Sequence, residues 1–361
     1  MVKDKILIMA GGTGGHVFPA LAIARHLMDQ GVEVTWLGTR AGLEARVVPE
    51  AGIPIKYISV RGLRGNGVAG WLLAPFKLSY ALIQAIQVCL SVKPNVVLGL
   101  GGFVTGPGGL ASWLLHKPVV IHEQNAIPGL TNRLLSKISR TVLEAFKSSF
   151  PAGTGAVHTG NPVRKEISSL ADPQVRFAQR QGSIRILVLG GSLGAQALNE
   201  TLPVALAKID SANRPEVWHQ TGANKSDATQ SLYKEQNVEA KVEAFIEDMA
   251  AAYEWADLVI CRSGALTVSE LCAAGLGAVL VPFPYAVDDH QTSNANYLVK
   301  DKAAILIQQK DLSVETLADL LKDLIDKGRE HLQDMAIASR KLAMPNATAQ
   351  VAEICLEVAH G

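Results

Sequence analysis

A glycine-rich segment near the N-terminus has the composition of an anion-binding turn. Residues 11–16, GGTGGH, follow the apolar run 5–10 and precede a stretch with helical periodicity. Glycines let the backbone approach a ligand closely, and the start of a helix directs N–H groups and the positive end of its dipole at an anion. The same glycines would also suit tight packing of a helix on a strand, so this segment alone leaves both interpretations open.

A dinucleotide cofactor is disfavoured at this turn. Val17 replaces the third glycine of the G-x-G-x-x-G pattern, and the second apolar run ends in Leu37 and Gly38 without the carboxylate that would hold a ribose. A nicotinamide-dependent dehydrogenase is therefore disfavoured as well.

His16 is the candidate general base. It lies at the start of the helix that follows the glycines. There the helix dipole disfavours the imidazolium form and leaves the ring able to accept a proton near pH 7. A histidine that caps the helix or packs against it is the alternative.

A second glycine-rich run, residues 101–109, follows another apolar run in the same half of the chain. The carboxyl ends of parallel strands meet at one edge of a sheet, so both glycine-rich turns are expected to line one crevice. Two adjacent anion-receptive turns suit a diphosphate. The polar residues 122–125, HEQN, follow a further strand and predict a binding role rather than a place in the core.

In the second half of the chain, residues 261–270, CRSGALTVSE, combine the end of a strand, a Ser-Gly turn and the start of a helix. Amides at the helix start can hold a phosphate, and the carboxylate of Glu270 can accept hydrogen bonds from a ribose diol. An ordinary glutamate stabilised by the helix dipole is the alternative.

Several metal-binding patterns are absent from the sequence. It contains no Asp-x-Asp pair, no H-x-x-x-H or Cys/His cluster, and no P-loop ending in Gly-Lys-Ser/Thr. We therefore expect no cofactor and no protein-bound metal. Helix ends and cations such as Arg164 are expected to meet the charge of a phosphate leaving group.

The elements that must position these residues alternate between short β-branched runs and longer amphipathic segments, which is typical of α/β domains with parallel sheets. We predict strands over residues 5–10, 32–37, 96–100, 119–122, 140–144, 185–189, 217–220, 238–244, 258–261 and 278–282. Helices are predicted over residues 18–30, 313–327 and 347–359. Residues 186–194 repeat the strand and glycine-rich turn of residues 6–14. Two such openings predict two doubly wound, Rossmann-like domains in tandem.

Length and turns predict the domain boundaries. At 361 residues the chain exceeds what one hydrophobic core usually supports. Residues 160–162, GNP, form a turn and a hinge. The domains are therefore predicted as residues 1–163 and 164–344, with the final helix, residues 345–361, packed back on the first domain.

Composition indicates a folded protein of a reducing compartment. Hydrophobic residues make up 48% of the chain and charged residues 19%, and the four cysteines lie far apart in apolar stretches. Residues 1–163 hold 15 Lys and Arg against 7 Asp and Glu, a net charge of +8, and the remainder has a net charge of −7. The basic half predicts an anionic ligand or surface, and no nucleic-acid partner is expected.

Membrane attachment is expected to be peripheral. The N-terminus leads into a strand rather than a signal peptide. The most apolar window, residues 68–92, is interrupted by Pro75, Lys77, Gln84 and Gln87. Residues 71–78, WLLAPFKL, have Arg61 and Arg64 nearby, and this composition predicts contact with an anionic membrane surface. A helix packed on its own sheet is the alternative.

Five motifs resemble glycosyltransferase family 28, which includes a bacterial N-acetylglucosaminyltransferase of peptidoglycan synthesis. They are residues 11–20 (GGTGGHVFPA), 122–125 (HEQN), 160–164 (GNPVR), 190–195 (GGSLGA) and 262–270 (RSGALTVSE), in order along essentially the whole chain. The resemblance implies a GT-B fold, with two domains facing across a cleft. It also implies an inverting, metal-independent transfer of N-acetylglucosamine (GlcNAc) from UDP. The acceptor would be the C4 hydroxyl of the muramoyl sugar on undecaprenyl-pyrophosphoryl-MurNAc-pentapeptide.

The resemblance also implies roles for individual residues. UDP-GlcNAc would contact Thr13, Gly14, Gly15, Asn125, Arg164, Ser192, Ile246, Ala265, Leu266, Thr267, Val268, Ser269, Glu270 and Gln291. Within this set, Arg164 and Ser192 would meet the diphosphate and Ile246 the uracil. The acceptor pyrophosphate would lie near Gly14, Gly15, Gly102, Thr105 and Glu123. The implied location is the cytoplasmic face of the inner membrane, with the anionic membrane surface and other cell-wall synthesis proteins as partners.

Alternatives remain open from the residues alone. A glycolipid transferase or a non-hydrolysing epimerase would use a UDP-sugar on a similar architecture, and a membrane-surface scaffold would bind a nucleotide sugar without turnover. An epimerase would act on UDP-GlcNAc with no lipid acceptor. Acceptor-dependent release of UDP therefore separates a transferase from an epimerase and from a scaffold.

Overall fold

The structure is a computed structural model that describes residues 4–60, 67–191 and 194–361; at residues 67–72 and at Val287 it describes the backbone alone. The predicted membrane cations Arg61 and Arg64 and the predicted diphosphate contact Ser192 lie outside the described residues, as do the side chains of Trp71 and Leu72. The chain divides into two compact units, Met1–Arg164 with Pro345–Gly361 and Lys165–Met344.

The described part of the first unit contains one parallel sheet of seven strands. The strands are β1 (Lys5–Ala10), β2 (Glu33–Gly38), β3 (Ile55–Tyr57), β4 (Val96–Gly101), β5 (Val119–Glu123), β6 (Thr141–Glu144) and β7 (Val157–His158). Their order in the sheet is β3-β2-β1-β4-β5-β6-β7. The helices that connect them are α1 (Gly14–Asp29), α2 (Glu44–Glu50), α3 (Gly67–Val92), α4 (Thr105–Leu114) and α5 (Leu130–Leu135).

The described part of the second unit contains a parallel sheet of six strands in the order β10-β9-β8-β11-β12-β13. The strands are β8 (Arg185–Leu189), β9 (Glu216–Gln220), β10 (Lys241–Glu243), β11 (Leu258–Cys261), β12 (Gly277–Leu280) and β13 (Ala304–Leu306). The helices are α6 (Lys165–Ser168), α7 (Pro173–Ala178), α8 (Gln196–Ala207), α9 (Ser226–Glu235), α10 (Met249–Trp255), α11 (Ala265–Ala274), α12 (His290–Val299) and α13 (Val314–Lys341). The last helix, α14 (Ala347–His360), belongs to the first unit.

Alternating side chains of β1 fix helices on both faces of the first sheet. Ile6 and Ile8 lie in one buried cluster with residues of α1 and α14, whereas Leu7 and Met9 lie in another with residues of α3 and α4. Successive side chains of a strand point to opposite faces, so a strand that is apolar throughout needs a helix layer on each side. This is the doubly wound arrangement that the sequence predicts.

In the second unit, helices cover the sheet in the same manner on the face of the alternate residues Ile186 and Val188. These residues of β8 and Ile260 of β11 lie in one cluster with Leu202 of α8 and Leu321 of α13. The helix α13 is interrupted at Gly328, whose φ of 73° is outside the helical region.

All ten predicted strands are confirmed, with bounds that differ by at most three residues. The three strands that the sequence did not predict, β3, β7 and β13, are each two or three residues long and each lies at the end of its sheet. An outer strand pairs on one side only, and so short a run carries no readable alternation.

The helix α3 contains a segment, Leu73–Val92, that is long and apolar enough to cross a membrane by length and composition. Pro75, Lys77, Gln84 and Gln87 interrupt this apolar run, and on that basis no span was expected. Ala81, Ala85 and Cys89, spaced four residues apart, are buried in the first unit. One face of α3 is therefore part of the folded domain, as expected for a helix that packs on a sheet.

Candidate active site

The predicted site of the first unit lies where the strand order reverses. β1 and β4 are neighbours in the sheet, although β2, β3 and α3 separate them in the chain. Ligands of doubly wound sheets bind beyond the carboxyl ends of the strands at such a switch point. The GGTGGH segment follows β1 and the second glycine-rich run follows β4, so the structure brings the two predicted turns together.

The two turns touch through their glycines. Gly101 and Gly102 have φ values of 108° and 81°, in the region that favours glycine. A Cβ at Gly102 would collide with the backbone of Gly11. A Cβ at Gly101 would lie 2.8 Å from Cδ2 and 2.9 Å from Nε2 of His16. The imidazole therefore lies directly on the second glycine-rich turn, and only glycine allows this approach.

His16 is in the first turn of α1, as the sequence predicts. Its amide donates to the carbonyl of Thr13 at 3.1 Å. Its Nδ1 lies 3.5 Å from Thr13 Oγ1, and this hydroxyl helps to orient the imidazole ring. If Nδ1–H donates to Thr13 Oγ1, Nε2 is the nitrogen that carries the lone pair, which is the tautomer that a general base acting through Nε2 needs. The helix begins at Gly14, so Gly14 and Gly15 form its first turn beside His16.

The HEQN segment is a loop built around the carboxylate of Glu123. Oε1 accepts hydrogen bonds from the backbone N and from Nδ2 of Asn125, at 2.9 and 3.2 Å. Oε2 accepts from the amide of Gly129 at 3.1 Å and from Nδ2 of Asn132 at 2.8 Å. Both oxygens of this buried side chain are thus used inside the loop. Glu123 holds Asn125 in position, and its contact with the acceptor pyrophosphate stays a prediction.

His122 connects this loop to the segment that ends at Arg164. Burial lowers the pKa of His122 to about 4, against the opposing effects of its bond to Gly160 and of the Glu123 charge. The neutral ring donates from Nε2 to the carbonyl of Gly160 at 2.9 Å and accepts at Nδ1 from Gln124 Nε2 at 3.0 Å. The segment 160–164 is therefore fixed to the strand end of β5.

Arg164, assigned to the donor diphosphate, lies beside the first helix of the site. Its guanidinium carbon is 5.9 Å from the ring centre of Phe18, in the second turn of α1. The structure groups Arg164 with the first unit. The guanidinium of Arg164 therefore lies next to α1, the helix that begins at the first glycine-rich turn.

Thr105 is fully buried, and its hydroxyl is used within the second turn. Oγ1 donates to the carbonyl of Gly101 at 2.7 Å and accepts from the amide of Gly101 at 3.1 Å. The contact between Thr105 and the acceptor pyrophosphate stays a prediction. The hydroxyl lies at the point where the pairing of β4 with β1 shifts register. Gly102 is left as the backbone contact that this turn can offer.

The predicted donor site of the second unit also lies at a switch point. β8 and β11 are neighbours, and each is followed by one of the predicted turns, residues 190–195 and 262–264. The helix α11 begins at Ala265 after Gly264, which has no side chain to cap it. A helix start at a strand end is receptive to a phosphate.

The residues assigned to the donor in α11 differ in burial. Ala265, Val268 and Glu270 are buried, and Leu266, Thr267 and Ser269 are half-buried. The carboxylate of Glu270 accepts a hydrogen bond from the hydroxyl of Tyr253 at 3.0 Å. Tyr253 belongs to α10, the helix that follows the loop with Ile246, which is buried. The hydrogen bond between Tyr253 and Glu270 therefore connects α10, which follows the uracil candidate Ile246, to α11, which carries the ribose candidate Glu270.

Gln291 lies in the first turn of α12, and its Oε1 accepts from the amide of Phe283 at 2.9 Å. The same helix is tied to the turn before α11, because Asn294 Nδ2 donates to the carbonyl of Ser263 at 3.2 Å. The structure thus joins α11 and α12 at the strand-end edge.

Two buried polar residues were not assigned a role from the sequence. The side-chain hydroxyl of Ser263, at the start of α11, is fully buried and has no hydrogen-bond partner among the described residues. Glu44, in the first unit, is fully buried beside the first glycine-rich turn. Ser263 belongs to the Ser-Gly turn that the sequence predicts, although its hydroxyl was given no role. A lone glutamate such as Glu44 gives no spacing signal, so sequence patterns could not single it out.

No metal site is formed by the part of the chain that the structure describes. In residues 4–60, 67–191 and 194–361 there is no group of three or more His, Cys, Asp or Glu side chains able to hold an ion. The four cysteines are free and buried, as predicted.

Sequence comparison with known families identifies the chain. Residues 6–144 match the glycosyltransferase family 28 N-terminal domain and residues 185–351 match the glycosyltransferase family 28 C-terminal domain. The chain belongs to glycosyltransferase family 28. It is accordingly a glycosyltransferase, as the five motifs predict.

Relatives of this family 28 chain share its full length. A protein of Marinobacter nauticus is 56% identical over 359 residues, which cover 99% of each chain. One of Nitrosococcus oceani is 55% identical over 359 residues, again 99% of each chain. Both are named UDP-N-acetylglucosamine--N-acetylmuramyl-(pentapeptide) pyrophosphoryl-undecaprenol N-acetylglucosamine transferase.

A solved structure of the family has the same fold. The crystal structure of Acinetobacter baumannii MurG is 44% identical to this family 28 chain, with a TM-score of 0.85 and coverage of 98% of this chain and 99% of that one. The predicted GT-B fold, with two Rossmann-like parallel sheets, is confirmed.

Proposed function

We propose that this glycosyltransferase transfers GlcNAc from UDP-GlcNAc to the N-acetylmuramyl sugar of undecaprenyl-pyrophosphoryl-MurNAc-pentapeptide, a step of peptidoglycan synthesis. One structural observation carries the proposal: each sheet has a glycine-rich turn at its own switch point. One chain therefore has two separate edges that suit phosphate-bearing ligands. Both substrates named for the full-length relatives bear a diphosphate.

The second unit is proposed as the donor site. The start of α11 suits the diphosphate of UDP, and the unpartnered hydroxyl of Ser263 lies at the same strand end. The carboxylate of Glu270 can accept hydrogen bonds from both ribose hydroxyls. Ile246 is proposed to contact the uracil through its backbone and Gln291 to contact the GlcNAc.

The first unit is proposed to hold the acceptor and the general base. Nε2 of His16 takes the proton of the C4 hydroxyl as that oxygen forms a bond to the anomeric carbon of GlcNAc. The bond from that carbon to the UDP oxygen breaks at the same time, and its electron pair leaves with UDP. Attack opposite the leaving group inverts the anomeric carbon. Gly14, Gly15 and Gly102 are proposed to offer backbone contacts to the acceptor pyrophosphate, and Thr13 and Asn125 to contact the donor sugar.

We propose that the leaving UDP is stabilised without a protein-bound metal. Arg164 and the start of α11 supply the positive charge that a metal would otherwise provide. Treatment with EDTA is expected to leave the initial rate within about twofold of the untreated value. A loss of turnover that added Mg²⁺ restores would contradict this part of the proposal.

We also propose that α3, α4 and α5 attach the enzyme peripherally to the cytoplasmic face of the inner membrane. Several of their large apolar side chains are exposed: Leu73, Phe76, Tyr80 and Ile83 of α3, Trp113 and Leu114 of α4, and Leu130 and Leu134 of α5. α4 packs against both α3 and α5, so the three helices form a continuous layer. The exposed cations Arg133 and Lys137 border Leu134. Apolar side chains next to cations suit an anionic lipid surface.

Removing exposed apolar side chains from this layer is expected to weaken membrane binding. The variant Phe76→Ser/Ile83→Ser/Trp113→Ser should bind phosphatidylglycerol-containing vesicles at least about tenfold more weakly, because each inserted side chain contributes transfer free energy. Co-sedimentation at low salt measures this. Val175→Ser, which changes an exposed apolar residue of the second unit, is the control. Binding of the triple variant at the level of the wild type would refute the surface.

Release of UDP tests the proposed reaction. UDP-GlcNAc is incubated with the enzyme, with and without a short-chain analogue of the undecaprenyl-linked acceptor. The proposal expects UDP only when the acceptor is present. Conversion of UDP-GlcNAc without acceptor would favour an epimerase, and binding of UDP without product would favour a scaffold. Either result would overturn the proposal.

A further inference from the structure

A buried carboxylate lies behind the first glycine-rich turn. Glu44 is the first residue of α2 and is fully buried. Its Oε2 accepts a hydrogen bond from the amide of Gly12 at 3.0 Å. Its Oε1 accepts from the amide and from the hydroxyl of Thr39, at 2.9 and 2.8 Å. One side chain thus joins the turn after β1 to the turn after β2.

Three glycines make room for this carboxylate. A Cβ at Gly11 would lie 2.7 Å from Oε1 of Glu44, and a Cβ at Gly38 would lie 2.7 Å from its Cγ. A Cβ at Gly42 would overlap the carboxylate group itself. Gly11 therefore has a second function besides backbone approach to a ligand, because it admits the Glu44 side chain.

The carboxylate of Glu44 is stabilised by hydrogen bonds and by the start of α2. Its hydrogen-bond partners are two amides and a hydroxyl, and in the described part of the chain no cation pairs with it. Hydrogen bonds to a carboxylate are short and strong, and a negative charge is favoured in the first turn of a helix. Glu44 therefore holds the Gly12 and Thr39 donors in fixed positions.

We propose that Glu44 is a positioning residue for the general base His16. The bond from Gly12 to Glu44 fixes a residue whose φ of 92° would otherwise be free to change. The next residue, Thr13, accepts the amide of His16 through its carbonyl and lies 3.5 Å from Nδ1 through its hydroxyl. Loss of the Glu44 bond therefore moves Thr13, and with it the imidazole. This inference rests on the proposed function, since it assumes that His16 is the base.

The substitution Glu44→Gln tests the role. Glutamine has the same shape, but its NH₂ group would face one of the N–H donors that the carboxylate now accepts. We expect kcat for acceptor-dependent UDP release to fall by about 10–100-fold, with the KM for UDP-GlcNAc within about twofold of wild type. Glu50→Gln, which changes an exposed glutamate at the other end of α2, is the matched control and should keep wild-type kcat.

A double-mutant cycle separates positioning from general damage to the fold. If Glu44 acts through His16, then Glu44→Gln should lower kcat by less than about threefold in a His16→Ala background. A fall in that background as large as in the wild-type background would overturn the proposal. So would a wild-type kcat for Glu44→Gln.

Folding is checked by circular dichroism and by UDP affinity, which reports on the second unit. If Glu44→Gln does not fold, Thr39→Val replaces it, because this change removes one donor to Oε1 and keeps the carboxylate. Thr39→Val is expected to lower kcat by about 3–10-fold, again only when His16 is present. A wild-type kcat for Thr39→Val would then overturn the proposal. A wild-type enzyme that releases no UDP with acceptor would refute the proposed function instead, whatever the variants do.

Discussion

Replacement of His16 by alanine is expected to lower kcat by about 10²–10⁴-fold and to leave the KM for UDP-GlcNAc within about twofold. The imidazole lies on the second glycine-rich turn, and its Nδ1 faces Thr13 Oγ1. The groups assigned to the uracil and the ribose belong to the second unit, and Arg164 is unchanged in this variant, so binding of the nucleotide should survive. Steady-state release of UDP with a saturating acceptor analogue gives both constants.

His26→Ala is the control for this substitution. His26 is in the last turn of α1, on the same helix as His16 but far from the strand-end edge, and its Nε2 contacts Gln30 at 3.2 Å. It should retain wild-type kcat. If His16→Ala also retains kcat, another residue is the base, and the role assigned to the first glycine-rich turn in proton transfer is wrong.

Replacement of Glu270 by alanine is expected to weaken UDP binding by about 1.5–3 kcal/mol, which is about 10–150-fold in Kd. The carboxylate is buried in the second turn of α11 and is oriented by the hydroxyl of Tyr253. That loss is the binding free energy expected from hydrogen bonds between a charged acceptor and the ribose hydroxyls. Titration calorimetry with UDP measures the change, and Glu254→Ala, at an exposed position next to Tyr253, should bind UDP as the wild type does.

The ligand itself gives a second test of the ribose contact. The wild type should bind 2′-deoxy-UDP more weakly than UDP, because one bond to Glu270 is lost. The Glu270→Ala variant should bind the two nucleotides equally. Wild-type affinity of Glu270→Ala for UDP, or continued discrimination between the nucleotides, would refute the assignment.

The places of the glycine-rich turns in the fold could be predicted from the sequence because backbone geometry dictates them. A glycine-rich turn after a fully apolar strand gives both a parallel strand and its ligand-facing end, so residues 11–16 and 101–109 were expected at one edge. The contact of Gly102 with Gly11 and of Gly101 with His16 agrees with that expectation. The repeat at residues 186–194 likewise predicted the second sheet.

The roles of buried polar side chains could not be predicted in the same way. Glu123 and Thr105 were assigned to the acceptor pyrophosphate. No sequence pattern indicated that Glu123 also accepts from Asn132 of α5 or that Thr105 Oγ1 contacts the carbonyls of Gly101 and Met9. Glu44 carried no signal, since its partners Gly12 and Thr39 are 32 and 5 residues away. Sequence spacing shows which elements meet, whereas hydrogen-bond partners depend on side-chain directions that only the folded chain defines.

Transfer of labelled sugar tests whether this chain moves GlcNAc from UDP to the lipid-linked acceptor. The enzyme is given UDP-GlcNAc carrying ¹⁴C in the sugar, together with a short-chain undecaprenyl-linked acceptor analogue, and the lipid and aqueous products are separated. We expect label to enter the lipid fraction in a one-to-one ratio with released UDP. Label that stays in the aqueous fraction, as free sugar or as an isomer of the nucleotide sugar, while the acceptor is unchanged would contradict the proposed transfer.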